Sequence, residues 1–389
     1  MSDLTKNIKW QAEAAMHSVV ARFLRLVSPP TVFKCGEFVG KMIWPFMRNR
    51  QRSIERNLRI ATCGSLSIKE ARALGKRSFI RTSANLLSSS FSKDLSDAEL
   101  GEMLSVENPE LLEKAYAKGT GVVLLLAHMG NWELLTRMHR FFPAGAKSGA
   151  FYRPLNNPVL DKRVRKQREA DGTRLFSKRD SLHNVSGYLR DGAIIGILTD
   201  QRVGRQGELV EFFGRITRAS PLPSLMVRRC KSEVLALSLK TVSPGKWIAT
   251  YHPVERPYNT TNCMAALEKS MSSSMEDVFW LQERWRMYLR SSRPPQDWLQ
   301  KEGVHGRKAH RAVIWASSGE KDNPLPDGYD HGDIDYEYVI DKEPRDLPDI
   351  DEKAALPIDF ILAFSESTEL KKEASKLGIP VMFAGNLSK

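Results

Sequence analysis

Residues 121–133 read Gly-Val-Val-Leu-Leu-Leu-Ala-His-Met-Gly-Asn-Trp-Glu, and this stretch predicts the fold. Residues 122–127 form a short, wholly apolar run of mostly branched side chains that starts after turn-forming glycines, a pattern typical of a strand buried on both faces. Residues 192–199 (GAIIGILT) repeat the pattern. Because helical patterns alternate with such strands, we predict an α/β domain whose mixed, mostly parallel sheet is flanked by helices.

His128 follows the first of these strands directly, at the end where α/β proteins bind their ligands. We expect Asn131 to cap a helix over residues 132–141, which places Glu133 in the first turn, where the helix dipole favours a carboxylate. Gly130 breaks the chain before that helix, so Glu133 can fold back towards the imidazole. A carboxylate on one ring nitrogen leaves the other basic, and the sequence therefore predicts a general base, His128, oriented by Glu133.

The chemistry expected of this pair is deprotonation of the substrate's own hydroxyl, because no serine or cysteine nucleophile is evident nearby. A histidine and a glutamate five residues apart also occur by chance, but the position at a strand end favours catalysis. No third ligand lies at a supporting spacing, so we predict no metal site here.

Further polar residues end the neighbouring strand candidates. Arg153 follows a weaker strand near residue 150. Its guanidinium group is expected either to form a surface ion pair or to bind a phosphate or an oxyanion through two hydrogen bonds. Asp200 and Gln201 end the second strong strand, again on the side where substrate is expected. Phe212 and Phe213 would supply an apolar wall, and the aromatic residues of the segment 280–286 predict either core packing or an interface belt.

The charge of the chain is uneven. The whole chain carries 59 basic and 46 acidic residues, a net charge of +13; residues 310–389 hold 9 basic and 17 acidic ones, so their net charge is −8 and that of residues 1–309 is +21. The positive charge of residues 1–309 predicts an anionic binding partner. Because the sequence has no nucleic-acid-binding motif, we favour a membrane surface or a phosphorylated substrate over nucleic acid. The four scattered cysteines predict a reducing compartment rather than a disulfide framework.

Two amphipathic helices are expected at the N-terminus, before and after Pro29-Pro30. Each combines an apolar stripe with nearby arginines or lysines, which predicts either contact with a membrane interface or packing on the body. No apolar run is long enough to predict a transmembrane helix. The expected organisation is an amphipathic segment (residues 1–60), a catalytic domain (61–305) and an acidic, small α/β C-terminal extension (306–389) to which the sequence assigns no ligand.

Taken together, five blocks resemble the lipid A late acyltransferases, lauroyl- and myristoyltransferases of the lysophospholipid acyltransferase superfamily, over roughly residues 15–295. The blocks are His128-Met129-Gly130-Asn131-Trp132-Glu133, Tyr152-Arg153-Pro154, Thr199-Asp200-Gln201, Phe212-Phe213-Gly214 and Trp280 with Arg284-Trp285-Arg286. The resemblance implies a glycerolipid-acyltransferase-like fold, with His128 as base and Glu133 as its orienting partner. It also implies substrate binding by Asn131, Arg153, Asp200 and Gln201, with Arg153 and Asp200 near a phosphosugar.

The same resemblance implies the partners. The donor would be an acyl group on acyl carrier protein or coenzyme A, and the acceptor a hydroxyl of a lipid A precursor at the cytoplasmic face of the inner membrane. Residues 215–223 differ from the corresponding stretch of the family, so another glycolipid or an aminolipid stays open as the acceptor. A non-catalytic lipid-binding membrane module is the alternative from a different functional class.

Overall fold

The computed structural model describes residues 3–92, 95–169, 172–177, 180–203, 206–282, 284–285, 310–326, 329 and 334–384. These residues form two compact units. The first unit consists of Met1–Ile43, Ser78–Asp200 and Pro221–Phe279, and the second of Trp44–Arg77, Gln201–Ser220 and Trp280–Lys389.

The helices up to residue 272 are α1 (Asp3–Leu24), α2 (Pro29–Ile43), α3 (Arg48–Ala61), α4 (Ile68–Ser92), α5 (Asp97–Met103), α6 (Pro109–Tyr116), α7 (Pro158–Glu169), α8 (Leu182–Arg190), α9 (Leu222–Cys230) and α10 (Thr260–Ser272). The strands are β1 (Leu104–Glu107), β2 (Val122–Leu126), β3 (Ser148–Phe151), β4 (Arg174–Phe176), β5 (Ile194–Leu198), β6 (Glu208–Phe212), β7 (Arg215–Ala219), β8 (Glu233–Ser243), β9 (Lys246–Pro253), β10 (His310–Ala316), β11 (Ile334–Ile340), β12 (Phe360–Ala363) and β13 (Val381–Phe383). The acidic C-terminal extension from residue 310 onward, called the tail below, adds a short helix (Leu347–Glu352) and the C-terminal helix (Thr368–Leu377).

The first unit is built on a seven-stranded sheet with the strand order β1-β9-β8-β2-β5-β3-β4. Every neighbouring pair is parallel except β8 and β9, which are antiparallel, so the sheet is mixed and mostly parallel as expected. All five residues of β2 are buried. Helices cover the sheet; α10, for example, packs on β8 through Cys263, Leu267 and Met271, which recur every four residues on one face.

The chain enters β2 through Gly121, whose φ of +75° lies in the left-handed region. A side chain there would place its Cβ 2.1 Å from the carbonyl oxygen of Leu189, so only glycine fits. From this point β2 pairs with β5 on one side and with β8 on the other. The apolar run identified in the sequence is therefore the central strand of the sheet.

The N-terminal helices α1 and α2 also belong to the first unit and keep large apolar side chains exposed. These are Met16, Val19, Val20 and Phe23 on α1, Leu26 and Val27 after it, and Phe38, Val39, Met42 and Ile43 on α2. Polar contacts hold α1 to the segment around α7: Asn157 bonds to the carbonyl oxygen of Trp10 and Arg163 to that of Ala14. Among the described residues, no helix is both long and apolar enough to cross a bilayer.

The second unit joins the acidic tail to α3 and to the β6–β7 hairpin. The tail strands form an all-parallel sheet with the order β11-β10-β12-β13. Successive residues of each strand point to opposite faces, so Val313 and Ile361 pack with the tail helices, whereas Ala312 and Phe360 pack with Leu209 and Ile216 of the hairpin. The sheet thus buries one face against its own helices and the other against a hairpin from earlier in the chain.

Buried ion pairs hold α3 to the tail within this unit. Arg59 is buried, and its guanidinium bonds to the Asp351 carboxylate at 2.8 Å and to the carbonyl oxygens of Asp351, Ala354 and Ala355. The Asp359 carboxylate contacts the side chains of Arg56, Arg215 and His310 and also accepts the backbone N–H of Arg311. The tail is therefore attached by charge-paired groups that are shielded from water.

Candidate functional site

The candidate site lies at the carboxyl ends of three neighbouring strands of the first unit. His128 follows β2, Asp200 follows β5, and Arg153 follows β3. Because β2, β5 and β3 are adjacent and parallel, these ends meet at one edge of the sheet. This is the edge at which ligands bind in open α/β sheets.

His128 and Asp200 are joined by two contacts. The carboxylate oxygen Oδ1 of Asp200 lies 2.7 Å from Nδ1 of His128, and its Oδ2 accepts the backbone N–H of His128 at 3.1 Å. The Asp200 side chain is fully buried, whereas 14% of the His128 side chain is exposed. An ionised carboxylate only accepts hydrogen bonds, so it places the proton on Nδ1 and leaves the lone pair on Nε2.

The backbone on either side of the His128 ring is fixed by the segment 277–279. The carbonyl oxygen of His128 accepts the N–H of Phe279 at 2.8 Å, and the N–H of Gly130 bonds to the carbonyl oxygen of Asp277 at 2.9 Å. Gly130 has a φ of +57°, and a Cβ there would lie 2.3 Å from the carbonyl oxygen of Leu239. The break that the sequence led us to expect at Gly130 is therefore a tight passage that requires glycine.

Two aromatic side chains surround the imidazole. The ring of Trp132 lies edge-on to His128 at a centroid distance of 5.4 Å, and the ring of Phe279 lies at 6.3 Å. The two aromatic rings are 5.6 Å apart from each other. Apolar rings beside a base exclude water and lower the local dielectric constant, which strengthens the hydrogen bond to Asp200.

The expected contact between Glu133 and His128 is wrong: Asp200 takes the place on the imidazole that we had given to Glu133. The Glu133 carboxylate instead forms a bidentate ion pair with Arg168 of α7, with Oε1 2.7 Å from Nη2 and Oε2 3.1 Å from Nε. The reason lies in the sheet, since β5 is the direct neighbour of β2 and delivers Asp200 to the imidazole.

The segment after His128 also differs locally from the expectation. Residues Trp132–Phe141 are helical over the expected range, but they form a 3₁₀ helix, and Asn131 makes no side-chain capping bond to it. The prediction that Asn131 caps an α-helix is therefore wrong. Asn131 is buried beside the His128 loop.

The remaining residues assigned to substrate binding are more exposed. Arg153 is exposed at the end of β3. Its neighbour Tyr152 donates to both oxygens of Asp161 on α7, at 2.9 and 2.7 Å; burial, followed by this bond, raises the pKa of the Tyr152 phenol. Gln201 is exposed and belongs to the second unit.

The two aromatic blocks pack together in the core of the second unit. Trp285 stacks on Phe212 at 6.0 Å and its Nε1 donates to the carbonyl oxygen of Phe212, while Trp280 lies edge-on to Phe213 at 5.9 Å. Trp280 and Trp285 are both buried. For these residues the core-packing interpretation is confirmed; Arg286 lies outside the described residues.

The site therefore contains a buried carboxylate, an imidazole whose Nε2 carries the lone pair, and a bidentate Glu–Arg pair. This set can accept a proton at Nε2 and hold positive charge close by. The sequence did not lead us to expect the contact between Asp200 and His128 or the ion pair between Glu133 and Arg168. The strand-end position of Asp200 was a usable signal, whereas nothing in the local sequence distinguishes Arg168 from the other basic residues of α7.

Comparison of the sequence with known proteins identifies the family whose sequence model it matches. The sequence model of one family, described as bacterial lipid A biosynthesis acyltransferase, matches residues 8–287. A lipid A biosynthesis palmitoleoyltransferase of Escherichia coli (strain K12) is 21% identical over 272 residues, which cover 66% of this chain and 85% of that protein. A lipid A biosynthesis lauroyltransferase of the same strain is 22% identical over 267 residues, 66% of this chain and 86% of that protein. A lipid A biosynthesis acyltransferase of Shigella flexneri is 21% identical over 272 residues, with the same coverage as the first.

Proposed function

Because the chain belongs to the bacterial lipid A biosynthesis acyltransferase family and is an acyltransferase, we propose that it moves a fatty acyl chain from a carrier thioester to a hydroxyl of a lipid A precursor. The observation that carries this proposal is the contact between His128 Nδ1 and the buried Asp200 carboxylate. That contact leaves Nε2 as the basic atom at the ligand-binding edge of the sheet.

The reaction starts with the acceptor hydroxyl. Nε2 of His128 removes its proton as the oxygen attacks the carbonyl carbon of the thioester, and a tetrahedral intermediate with a negatively charged oxygen forms. When this intermediate collapses, the C–S bond breaks, the new C–O ester bond remains, and the proton on Nε2 passes to the leaving thiolate. Asp200 stabilises the imidazolium that exists between these steps and keeps its own negative charge.

Glu133 and Arg168 act as a second pair in this proposal. The bidentate geometry fixes the guanidinium of Arg168 near the chain segment that carries His128. Its positive charge would stabilise the oxyanion or a phosphate of the acceptor, and Glu133 would act through it. The exposed guanidinium of Arg153, which follows Tyr152 on the same edge, would bind a second anionic group of the acceptor.

The proposed partners fit the charge of the chain. Residues 1–309 carry a net charge of +21, which favours a phosphorylated glycolipid acceptor and an acidic acyl carrier protein or the phosphates of acyl-CoA as donor. The exposed apolar side chains of α1 and α2 lie among basic residues such as Arg22, Arg25 and Lys41. We propose that these helices lie in the interface of the cytoplasmic leaflet of the inner membrane, which would hold the enzyme there as a peripheral protein.

The test is acyl transfer by the purified full chain. Wild-type protein is mixed with acyl carrier protein or coenzyme A loaded with lauroyl, myristoyl or palmitoleoyl chains and with tetra-acylated lipid A precursor, and the products are separated by mass. We expect one added acyl chain with the wild type and none with His128→Ala, whose circular dichroism should be unchanged. His139→Ala, which removes a histidine from the 3₁₀ helix that follows the His128 segment, is the matched control and should retain activity.

Two outcomes would contradict the proposal. A folded His128→Ala protein that transfers acyl chains at the wild-type rate would exclude His128 as the base. A wild-type protein that binds acyl carrier protein and lipid but neither transfers nor hydrolyses the thioester would favour the non-catalytic membrane module instead. Transfer to another glycolipid or an aminolipid would keep the mechanism and change the acceptor. Mass spectrometry of the lipids from a strain that lacks the protein identifies the natural acceptor.

A further inference from the structure

A polar cavity of about 160 Å³ lies within the second unit, between α3 and the end of the C-terminal helix. On the α3 side its lining residues are Asn49, Arg52, Ser53, Arg56 and Asn57. The other side comes from Ser375 and Lys376, in a part of the chain beyond the residues that match the family. The cavity is therefore a feature that the tail creates.

The α3 side of this cavity has an unusual composition for a packed helix. Its five residues recur at the i, i+3, i+4, i+7, i+8 spacing that defines one helix face, and a face that packs on another element is normally apolar. Here the face carries two guanidinium groups, two amides and a hydroxyl. The apolar side chains of α3, such as Ile54 and Leu58, are buried on its other side. A polar face that lines a cavity favours a polar ligand.

The cavity floor is preorganised. Nη1 of Arg56 bonds to the carbonyl oxygen of Ile358 at 2.5 Å and Nη2 to the Asp359 carboxylate at 2.6 Å. The buried amide of Asn57 donates to the carbonyl oxygens of Trp280 and Gln282. Both side chains are thereby held in one orientation before any ligand arrives, which reduces the entropy that binding would cost.

The charge around the cavity is positive. The lining includes Arg52, Arg56 and Lys376, and none of the described lining residues is an Asp or Glu, although Lys376 pairs with Glu373 beside the cavity. Asp359 is shared between Arg56, Arg215 and His310, so one carboxylate faces two guanidinium groups. Arg52 is exposed, and among the described residues its guanidinium has no ion-pair partner. An anion in the cavity would balance this excess.

We propose that this cavity binds a phosphate monoester, with Arg52 and Arg56 on the phosphate oxygens and Lys376 as a third positive charge. Guanidinium forks and hydroxyl donors match the geometry and the acceptor-rich surface of a phosphate. A water molecule needs roughly 10–15 Å³ of comparable cavity volume, so the cavity also has room for a small polar group attached to the phosphate. Such a group occurs in a soluble phosphosugar and in a phospholipid headgroup.

The test measures binding of phosphate monoesters by the full chain. Isothermal titration with inorganic phosphate and with glucose 1-phosphate tests the soluble source. Flotation with phosphatidylcholine vesicles, with and without phosphatidic acid, tests the headgroup. We expect saturable binding in at least one arm, and Arg52→Gln should weaken it about tenfold because a charge-assisted bond is lost. Arg52 is exposed, so this variant should fold.

The matched control is Arg50→Gln, which removes the same charge from an exposed position of α3 that does not line the cavity. It should bind like the wild type. Lys376→Gln tests the tail side of the cavity and should weaken binding as well. The proposal is overturned if no arm shows saturable binding, or if Arg50→Gln and Arg52→Gln weaken it equally, since that result indicates general attraction by a basic helix. Acyl transfer by the His128–Asp200 site is not needed for any of these readouts.

Discussion

A single carboxylate, that of Asp200, holds both the imidazole ring and the backbone N–H of His128. Oδ1 lies 2.7 Å from Nδ1 and Oδ2 lies 3.1 Å from the amide nitrogen. The two contacts fix both the position and the orientation of the imidazole ring, because the backbone and the side chain of His128 bond to the same buried carboxylate. Asp200, which follows β5, therefore assigns the imidazole proton to Nδ1 and the lone pair to Nε2.

This relationship makes a prediction about Asp200→Asn. The amide has nearly the same shape, but its NH₂ group can donate to Nδ1 and stabilise the tautomer whose proton is on Nε2. That tautomer cannot accept the proton of the acceptor. We expect kcat for acyl transfer to fall by roughly 10³–10⁴, with KM for the donor unchanged. Steady-state kinetics check this, and a variant that retains more than a tenth of the wild-type kcat would contradict the proposed role of Asp200.

The ion pair between Glu133 and Arg168 predicts that substitutions of these two residues have strongly non-additive effects on acyl transfer. If Glu133 acts through Arg168, then Glu133→Gln, Arg168→Gln and the double variant should all lower kcat/KM by similar factors. The double-mutant cycle should then give a coupling free energy of about 0.5–3 kcal/mol.

The control cycle for this prediction uses Arg165 and Glu169, an exposed pair on the same helix α7. Its coupling should be close to zero because solvent screens it. Additive effects of the Glu133 and Arg168 variants would instead favour independent roles, including the direct action of Glu133 on His128 that the sequence alone suggested.

The exposed apolar residues of the N-terminal helices predict membrane binding that depends on them. Phe23 is 70% and Phe38 64% exposed. A fully buried Phe contributes ~1.5–3 kcal/mol, so the double variant Phe23→Ser, Phe38→Ser should lower the partition coefficient into anionic vesicles at least about tenfold. Flotation measures this. Leu182→Ser, an exposed apolar position on α8, is the control, and an equal loss there would argue against an interface formed by α1 and α2.

The buried arginine that joins α3 to the tail predicts a large effect on stability. Arg59→Ala leaves the Asp351 carboxylate without its 2.8 Å partner and several carbonyl oxygens without their donor. We expect the free energy of unfolding to fall by about 3–5 kcal/mol. Arg72→Ala removes a guanidinium that is 57% exposed and pairs with Glu55 and Glu352, so it should cost only ~0–1 kcal/mol. Urea unfolding of both variants measures these two losses of stability. Similar losses for Arg59→Ala and Arg72→Ala would contradict the prediction.

Thiol reactivity checks the burial of the cysteines. Cys35 is exposed, whereas Cys263 lies on the buried face of α10, where burial raises the pKa of its thiol to about 12. Since the thiolate is the reacting form, Cys35 should be alkylated rapidly in the native protein at neutral pH and Cys263 only after unfolding. Peptide mapping after timed iodoacetamide labelling distinguishes the two sites. Rapid labelling of Cys263 in the folded protein would show that α10 does not pack on β8 as described.

Much of the fold could be predicted from local patterns. The runs at residues 122–127 and 192–199 correspond to β2 and β5. No such apolar run marks the strand β11. Its sequence, IDYEYVI, contains two acidic residues, and the strand lies at an edge of the tail sheet, where Asp335 and Tyr338 stay exposed. An edge strand needs few apolar residues, so its signal is weak.

The sequence by itself determined that His128 ends a buried strand and that Asp200 ends another, because burial on both faces requires an uninterrupted apolar run and the first polar residue marks its end. It could not determine which carboxylate reaches the imidazole. That depends on strand order, and only the tertiary structure places β5 directly beside β2, so Asp200 meets His128 from 72 residues away while Glu133, five residues away, turns to Arg168. In the same way, the basic residues 1–309 and the acidic tail were visible as separate charge patterns, and only folding brings α3 and the tail together around buried ion pairs and a cavity. Local sequence specifies strands and their ends through burial, whereas contacts between distant residues follow from how the strands and helices pack.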